Sequence, residues 1–381
     1  MQLRKALTMI LLVLVCFFGA GIDQAQAADL SFSEMEEYLN QFDQELSEME
    51  AGFSLGELWQ DIKAGDLSWD IHSILDFIGK LFLRELFAGG RLLGQLLVLG
   101  VVCLVLVNLK ESFGNSDISL LARSVVFLLL LTIVLASFSS VLNYAGQSIQ
   151  RMSGFVNAVL PLLMTLLASM GSLISVGLLN PVMLLALSLI LHLIEVLIFP
   201  LIFFSAVLKL VGYISPRFNL SRLAGLLKDI ALGAMSISMT VFVALLSFTG
   251  IAGAVSDGLA VKAAKTASGA FLPVIGRTLA DSLDSVLSTS LLLKNGIGLV
   301  GLIMVLLLCA LPGLKILAQV LLYRLAAAIL QPLGENQLSD ALFGLSGSLL
   351  FLFGVVAAAG LLFFFVLAVT VGAGNISMMM R

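Results

Sequence analysis

Charge is scarce in this chain: Asp, Glu, Lys and Arg make up 12% of its 381 residues, against roughly 25% in soluble globular domains. Hydrophobic residues reach 60% and fall in long runs rather than in helical or strand alternation. Water is therefore not the main solvent, and a soluble core is excluded.

Histidine and cysteine are scarcer still, at two and three residues. Cys16 falls in the N-terminal leader, while Cys103 and Cys309 stand singly in apolar runs. No disulfide framework or metal-binding spacing can be assembled from them. Val15 precedes Cys16 where lipid attachment needs a small residue, which excludes a lipoprotein. No P-loop, nucleophile elbow or zinc-protease motif is present. The string GIGLVG at 296–301 has the letters of a dinucleotide fingerprint, but it opens an apolar run with no strand before it. It reads as close helix packing, as does the Gly90 and Gly94 spacing. The expectation is a non-enzyme without cofactor, metal or nucleic-acid partner.

What the chain does have begins with Arg4 and Lys5, an apolar stretch from Ala6 to Phe18, and Ala25-Gln26-Ala27. That is the layout of a cleaved signal peptide, 1–27. The next division, 28–91, is acidic: Asp29 to Arg91 holds 14 acidic and 4 basic residues, a balance suited to an extracytoplasmic location. Met35, Leu39, Phe42, Leu46 and Met49 recur at helical spacing behind a Ser33/Glu36 capping box. A second helix is expected from Ser54, and Trp69, Ile74, Phe77, Ile78, Leu81 and Phe82 form an apolar surface for the chain's own helices, the membrane interface or a partner.

Runs long enough to span a bilayer, about 20 residues each, occur at 92–109, 119–142, 154–178, 181–208, 230–254, 296–312 and 345–371. The fold class expected is all-α, a polytopic transmembrane helical bundle of about seven spans, within a range of six to eight. Its divisions are a first group at 92–254, a polar block at 255–295 and a C-terminal membrane region at 296–381, with a loop at 143–153. Lys110 and Arg123, and then Lys209, Arg217, Arg222 and Lys228, mark two basic loops, both expected in the cytoplasm. Three runs separate these loops, and an odd number cannot join two loops on one side. Either 181–213 breaks at Pro200 and returns, or 154–178 dips in and out before Asn180-Pro181. Leu314 to Leu330 carries Lys315 and Arg324, so it reads as an interfacial helix or a span facing the bundle interior.

Two places could carry chemistry. Ser256 to Asn295 mixes Gly, Pro and small residues with seven charges: Asp257, Lys262, Lys265, Arg277, Asp281, Asp284 and Lys294. From Arg277 onward, Asp281, Asp284, Ser285 and Ser288 share one helical face. Broken polar helices at membrane depth line cavities or bury against protein, so a re-entrant, path-lining element and a surface-lying amphipathic helix both fit. The candidates for gating are Asp281, Asp284, Arg277, Lys262, Lys265, Lys294 and Asn295. The second place is His192 with Glu195, three apart in an otherwise apolar run, a polar pair open to an ion-pathway role or a structural hydrogen bond.

These residues carry a resemblance. GELWQDIKAGDLSWD (Gly56 to Asp70), Arg84-Glu85-Leu86, the block from Asp257-Gly258 through Lys262, Lys265, Gly269, Pro273, Gly276, Asp281, Asp284, Lys294-Asn295 and Gly298 to Gly301, and Gln331-Pro332 with Asp340 resemble the stage III sporulation protein AE family of endospore-forming bacteria. The resemblance implies a multi-pass protein of the mother-cell-derived outer forespore membrane, with its acidic segment in the intermembrane space. It also implies partners: the other proteins of its operon, among them a secretion-type ATPase and ring-forming components, and indirectly stage II sporulation protein Q. The function implied is support of late forespore gene expression through a transenvelope channel, with a non-conducting scaffold or a permease-like transporter as alternatives. No internal symmetry favours the transporter.

Overall fold

In the computed structural model the described residues are 71–113, 117–170, 172–214, 220–271, 275–333 and 336–379, with Glu37, Asn40 and Gln44 helical before them. The expected signal peptide and capping box lie outside the described residues, and of the first acidic helix only Glu37, Asn40 and Gln44 lie within them.

Every described element is helical, in keeping with runs rich in Leu, Ala and Ile that are apolar on all faces. Helix α1 spans Ile71–Ala88 and α2 spans Gly90–Phe113, with Gly89 as the joint between them. Then come α3 (Asp117–Ser169), α4 (Leu173–Leu193), a π-helical turn (Ile194–Ile198) and α5 (Phe199–Ile214). Helices α6 (Ser221–Phe271) and α7 (Ile275–Leu330), a 3-10 turn (Gln331–Leu333) and α8 (Asn336–Met379) complete the chain.

Among the described residues six stretches are long and apolar enough to cross a membrane: Ile78–Val102, Leu128–Ser169, Leu173–Tyr213, Ser221–Asp257, Lys294–Leu330 and Gln337–Ala373. Six is the low end of the expected range. The seventh disappears because 143–153 is not a loop: α3 runs straight through it. Its polar residues Asn143, Gln147, Gln150 and Arg151 are exposed while Val141, Ala145, Ser148, Ile149 and Met152 are buried. Polarity there follows helical periodicity and marks one face of a helix rather than a break.

The chain turns back at Met170 to Ser172, ahead of Asn180-Pro181, and Pro181 lies inside α4. Pro200 does not break the chain either. Lacking an N–H, it cannot close the α-helical bond to the Val196 carbonyl. The π turn widens the helix just before it, so that the Phe199 amide bonds the Ile194 carbonyl five residues back. Two helical passes, α3 and α4–α5, therefore separate the two basic loops. An even number places both at the same end of the bundle, which removes the conflict in the sequence reading.

Contacts fix the directions. Tyr323 donates to the Val134 carbonyl and Gln319 to Ser137, so α7 runs antiparallel to α3. Ser205 donates to the Ala224 carbonyl, turning α6 back along α5. Gly298 faces Val371 and Gly313 faces Phe353 across an antiparallel α7–α8 seam. Close packing at Gly298 and Gly301 matches the sequence reading. Gly90 and Gly94, in contrast, face open space, and the glycines that pack are Gly89 on Leu322 and Gly100 on Leu330. The Leu314 to Leu330 stretch continues the α7 span. Lys315 sits half-buried over the Tyr144 ring at 4.1 Å, while Arg324 is exposed beside Phe343 and Ser346. Large side chains fill the centre: Phe138, Phe155, Phe242, Tyr323 and Phe363 are all fully buried.

Candidate functional site

One end of the bundle, where α3 turns into α4 and where α6 and α7 leave the apolar spans, collects buried polar groups. Asp257, at the end of the uncharged run on α6, is 1% exposed. Its Oδ1 accepts the Ile174 amide at 2.8 Å and its Oδ2 the Ser175 amide at 2.9 Å. Those amides belong to the first turn of α4, whose own N-cap, Ser172, makes no side-chain capping bond. Asp257 thus caps α4 from another helix, placing a carboxylate where orphan amides and the helix dipole both favour negative charge. The approach requires Gly253: a Cβ there would stand 2.9 Å from the Ser175 Cα.

Lys294, at the start of the α7 span, is 0% exposed, and its Nζ has no hydrogen-bond partner. Across the α7–α8 seam Gly298 meets Val371 and Gly301 meets Leu367. One helical turn further on, that register sets Lys294 opposite Asn375. Asn375 Oδ1 is also buried without a partner, as is Asn295 Oδ1 beside Lys294 in sequence. Gly250 meets Val369 across the parallel α6–α8 seam, which brings Asp257 to the same depth. Ser172 and Ser175 add two more buried hydroxyls without partners.

Of the residues singled out in the sequence, Lys294 and Asn295 therefore lie in this layer. Lys262 and Lys265 are on the last turns of α6, and Arg277, Asp281 and Asp284 on the first turns of α7. Their backbone is helical and continuous with the spans, and their side-chain positions lie outside the described residues. His192 and Glu195 are elsewhere, at mid-length of the α4–α5 span, and both are exposed. Glu195 sits on the π turn and accepts a hydrogen bond from Gln150 of α3 at 2.9 Å. The sequence reading of candidate sites omitted Ser172, Ser175 and Asn375, and it counted Asp257 among the seven charges of the polar block and in the resemblance without giving it a role. Asp257 had a visible signal as the first charge after a long uncharged run. Asn375 had none.

The layer offers an ammonium donor and amide acceptors inside an otherwise apolar bundle, a set that can hold or pass a polar species. Among the described residues no three His, Cys, Asp or Glu side chains gather in a metal-binding group.

Comparison with known proteins matches residues 53–374 to the family described as stage III sporulation protein AE. The chain is also 37% identical over 355 residues to the stage III sporulation protein AE of Bacillus subtilis (strain 168), covering 93% of this chain and 89% of that one. No solved structure matches. With the match running from the acidic segment to the last turns of α8, across Asp257 and Lys294 alike, the chain belongs to the stage III sporulation protein AE family.

Proposed function

We propose that this chain is a non-catalytic membrane subunit of a transenvelope conduit joining mother cell and forespore, in which the polar layer and the charged arms beyond it form part of a path for polar cargo. The observation that carries the reading is the buried, unpartnered Lys294 ammonium opposite Asn375. An unpaired charge in a low-dielectric interior costs several kcal/mol, a cost that selection retains where the group has work to do. Because the bundle's centre is packed with side chains, the path runs between this chain and its neighbours, not along the axis of one copy. Those neighbours are the operon's ATPase and ring-forming components, with stage II sporulation protein Q reached indirectly from the forespore side.

Orientation follows from charge. The helix ends at Phe113 and Asp117, at Ile214 and Ser221, and at Leu333 and Asn336 share one end of the bundle, and in sequence Lys110, Arg123, Lys209, Arg217, Arg222, Lys228 and Arg324 fall in or beside these joints. That end faces the mother-cell cytoplasm. Asp257, Lys294 and the acidic 28–70 segment then face the intermembrane space of the outer forespore membrane.

The test is Asp281→Asn combined with Asp284→Asn, which removes charge and keeps shape. Late forespore gene expression and heat-resistant spore counts are expected to fall sharply, with the protein still present at normal level. Normal spores would count against a conduit. The solid packing of the bundle favours a second reading, a scaffold that recruits partners without conducting. It predicts that the double Asn variant is silent and that polar substitutions at Phe77 and Phe82 abolish partner recovery.

A further inference from the structure

Two lysines converge between α5 and α6 where no acid answers them. Ser205 on α5 donates to the Ala224 carbonyl on α6, and Lys209 and Lys228 each follow one of those residues by four positions. Both therefore stand on the faces that the two helices turn toward each other. Side chains tilt toward the N-terminus of their own helix, and because α5 and α6 are antiparallel the tilt brings the two ammonium groups together. The charge of Lys228 acts on Lys209 accordingly. Helix α8 forms a third wall: Gly344 packs on Tyr213, and two turns further along α8 the Phe351 ring lies 5.6 Å from the Lys228 Nζ.

Both lysines are half-buried, and among the described residues neither forms an ion pair. The nearest acids in the fold are Asp340, beside Tyr213 one turn closer to the end of α5, and Asp229, next to Lys228 in sequence; both are exposed. Like charges gathered on a half-dry surface repel more strongly than in open water, and an anion placed between them reverses the sign. The depth suits a headgroup: Lys209 and Lys228 lie within about 10 Å of the nearby helix ends at 1.5 Å per residue. Beyond them the accessible residues of the α6–α8 seam are apolar. The Gly250–Val369 register sets Leu232 level with Phe351 and Met239 level with Ala358. Leu232 is 49% exposed, Met239 and Ala358 are half-buried, and Gly354 is exposed with nothing within 4 Å of its Cβ position.

We infer that Lys209 and Lys228 hold the phosphate of an anionic phospholipid whose acyl chain lies along the α6–α8 seam. Basic pockets between membrane helices are suited to such headgroups. The two halves of the site select the ligand together. A free anion uses the lysines and leaves the seam bare, whereas a neutral lipid covers the seam and leaves the repulsion between the lysines unrelieved. Only an amphiphile with a negative head satisfies both. The site is independent of whether anything is conducted.

The test uses the full-length chain in nanodiscs of phosphatidylcholine alone or of phosphatidylcholine mixed with phosphatidylglycerol. Phosphatidylglycerol should raise the melting temperature of the parent by several degrees, because it binds the folded state. Lys209→Met combined with Lys228→Met should abolish that rise, while in phosphatidylcholine alone the double variant should melt at or above the parent. Arg222→Gln removes an exposed base from another face of α6 and should keep the rise. An undiminished rise in the double variant would overturn the inference, as would a double variant that melts well below the parent in phosphatidylcholine. An equal rise from inorganic phosphate added to phosphatidylcholine nanodiscs would assign the lysines to a free anion and overturn the lipid. Should the double variant fail to fold, Gly354→Leu decides: it fills the seam without touching either lysine, and native mass spectrometry should show phosphatidylglycerol enriched over phosphatidylcholine on the parent but not on this variant. Enrichment on both, or on neither, would overturn the inference. These readouts are melting and lipid retention, so their failure is distinguishable from failure of the conduit reading, which is scored on spores.

Discussion

Asp257 and Lys294 sit at the same depth of the same bundle, are equally buried, and are treated in opposite ways. The carboxylate receives two backbone amides from the start of α4. The ammonium receives nothing. A buried charge that is fully hydrogen-bonded is a structural part, because removing it strands its partners. One left without partners strands nothing when it is removed. The pair thus contrasts, within one layer, a residue that holds α6 against α4 with one that, under the proposed conduit reading, serves cargo or a partner.

The largest effect expected from breaking this contrast is at Asp257. Asp257→Ala removes two charge-assisted hydrogen bonds and strands two amides at a helix start, a loss of about 3 kcal/mol. The purified protein should melt at clearly lower temperature in detergent. Asp257→Asn keeps one acceptor oxygen and should recover part of that loss. An Asp257→Ala protein melting like the parent would show that the α4 amides find other acceptors.

Gly253 tests the same latch sterically and should cost less. Gly253→Ala puts a methyl group where the Ser175 Cα leaves only 2.9 Å. Because that neighbour is backbone, it cannot rotate away, and the two helices must separate at a cost of about 1–2 kcal/mol. Gly90→Ala, whose Cβ would meet nothing within 4 Å, is the matched control and should be neutral or slightly stabilising through helix propensity. Equal melting of the two variants would mean that α4 and α6 do not approach closely at this point.

Much of the architecture was legible in the sequence because it follows from composition: long apolar runs demand a bilayer, and runs rich in Leu and Ala form helices. The span count was less legible because polarity has two meanings. The 143–153 stretch is as polar as a loop, and only the burial of Val141, Ala145, Ser148 and Ile149 on its other face identifies a continuous amphipathic helix. Lys294 could be picked out as a charge at the edge of an apolar run. The role of Asp257 could not, since its partners are backbone amides 82 and 83 positions away, and a backbone amide leaves no mark on residue type.

The smallest stability change, and the one that bears most on function, is expected at Lys294. Lys294→Met keeps the length of the side chain and removes a buried charge that has no partner to strand. Replacing such a group by an apolar one of similar size is neutral or stabilising, so the melting temperature should hold or rise while spore formation fails. Lys294→Arg keeps the charge but changes its shape, and should retain more function than Lys294→Met although it is the harder of the two to pack. A Lys294→Met protein that melts well below the parent would place Lys294 beside Asp257 as a structural group, and the contrast between the two residues would vanish. A stable Lys294→Met protein that sporulates normally would instead leave the ammonium without a purpose and remove the observation on which the conduit reading rests.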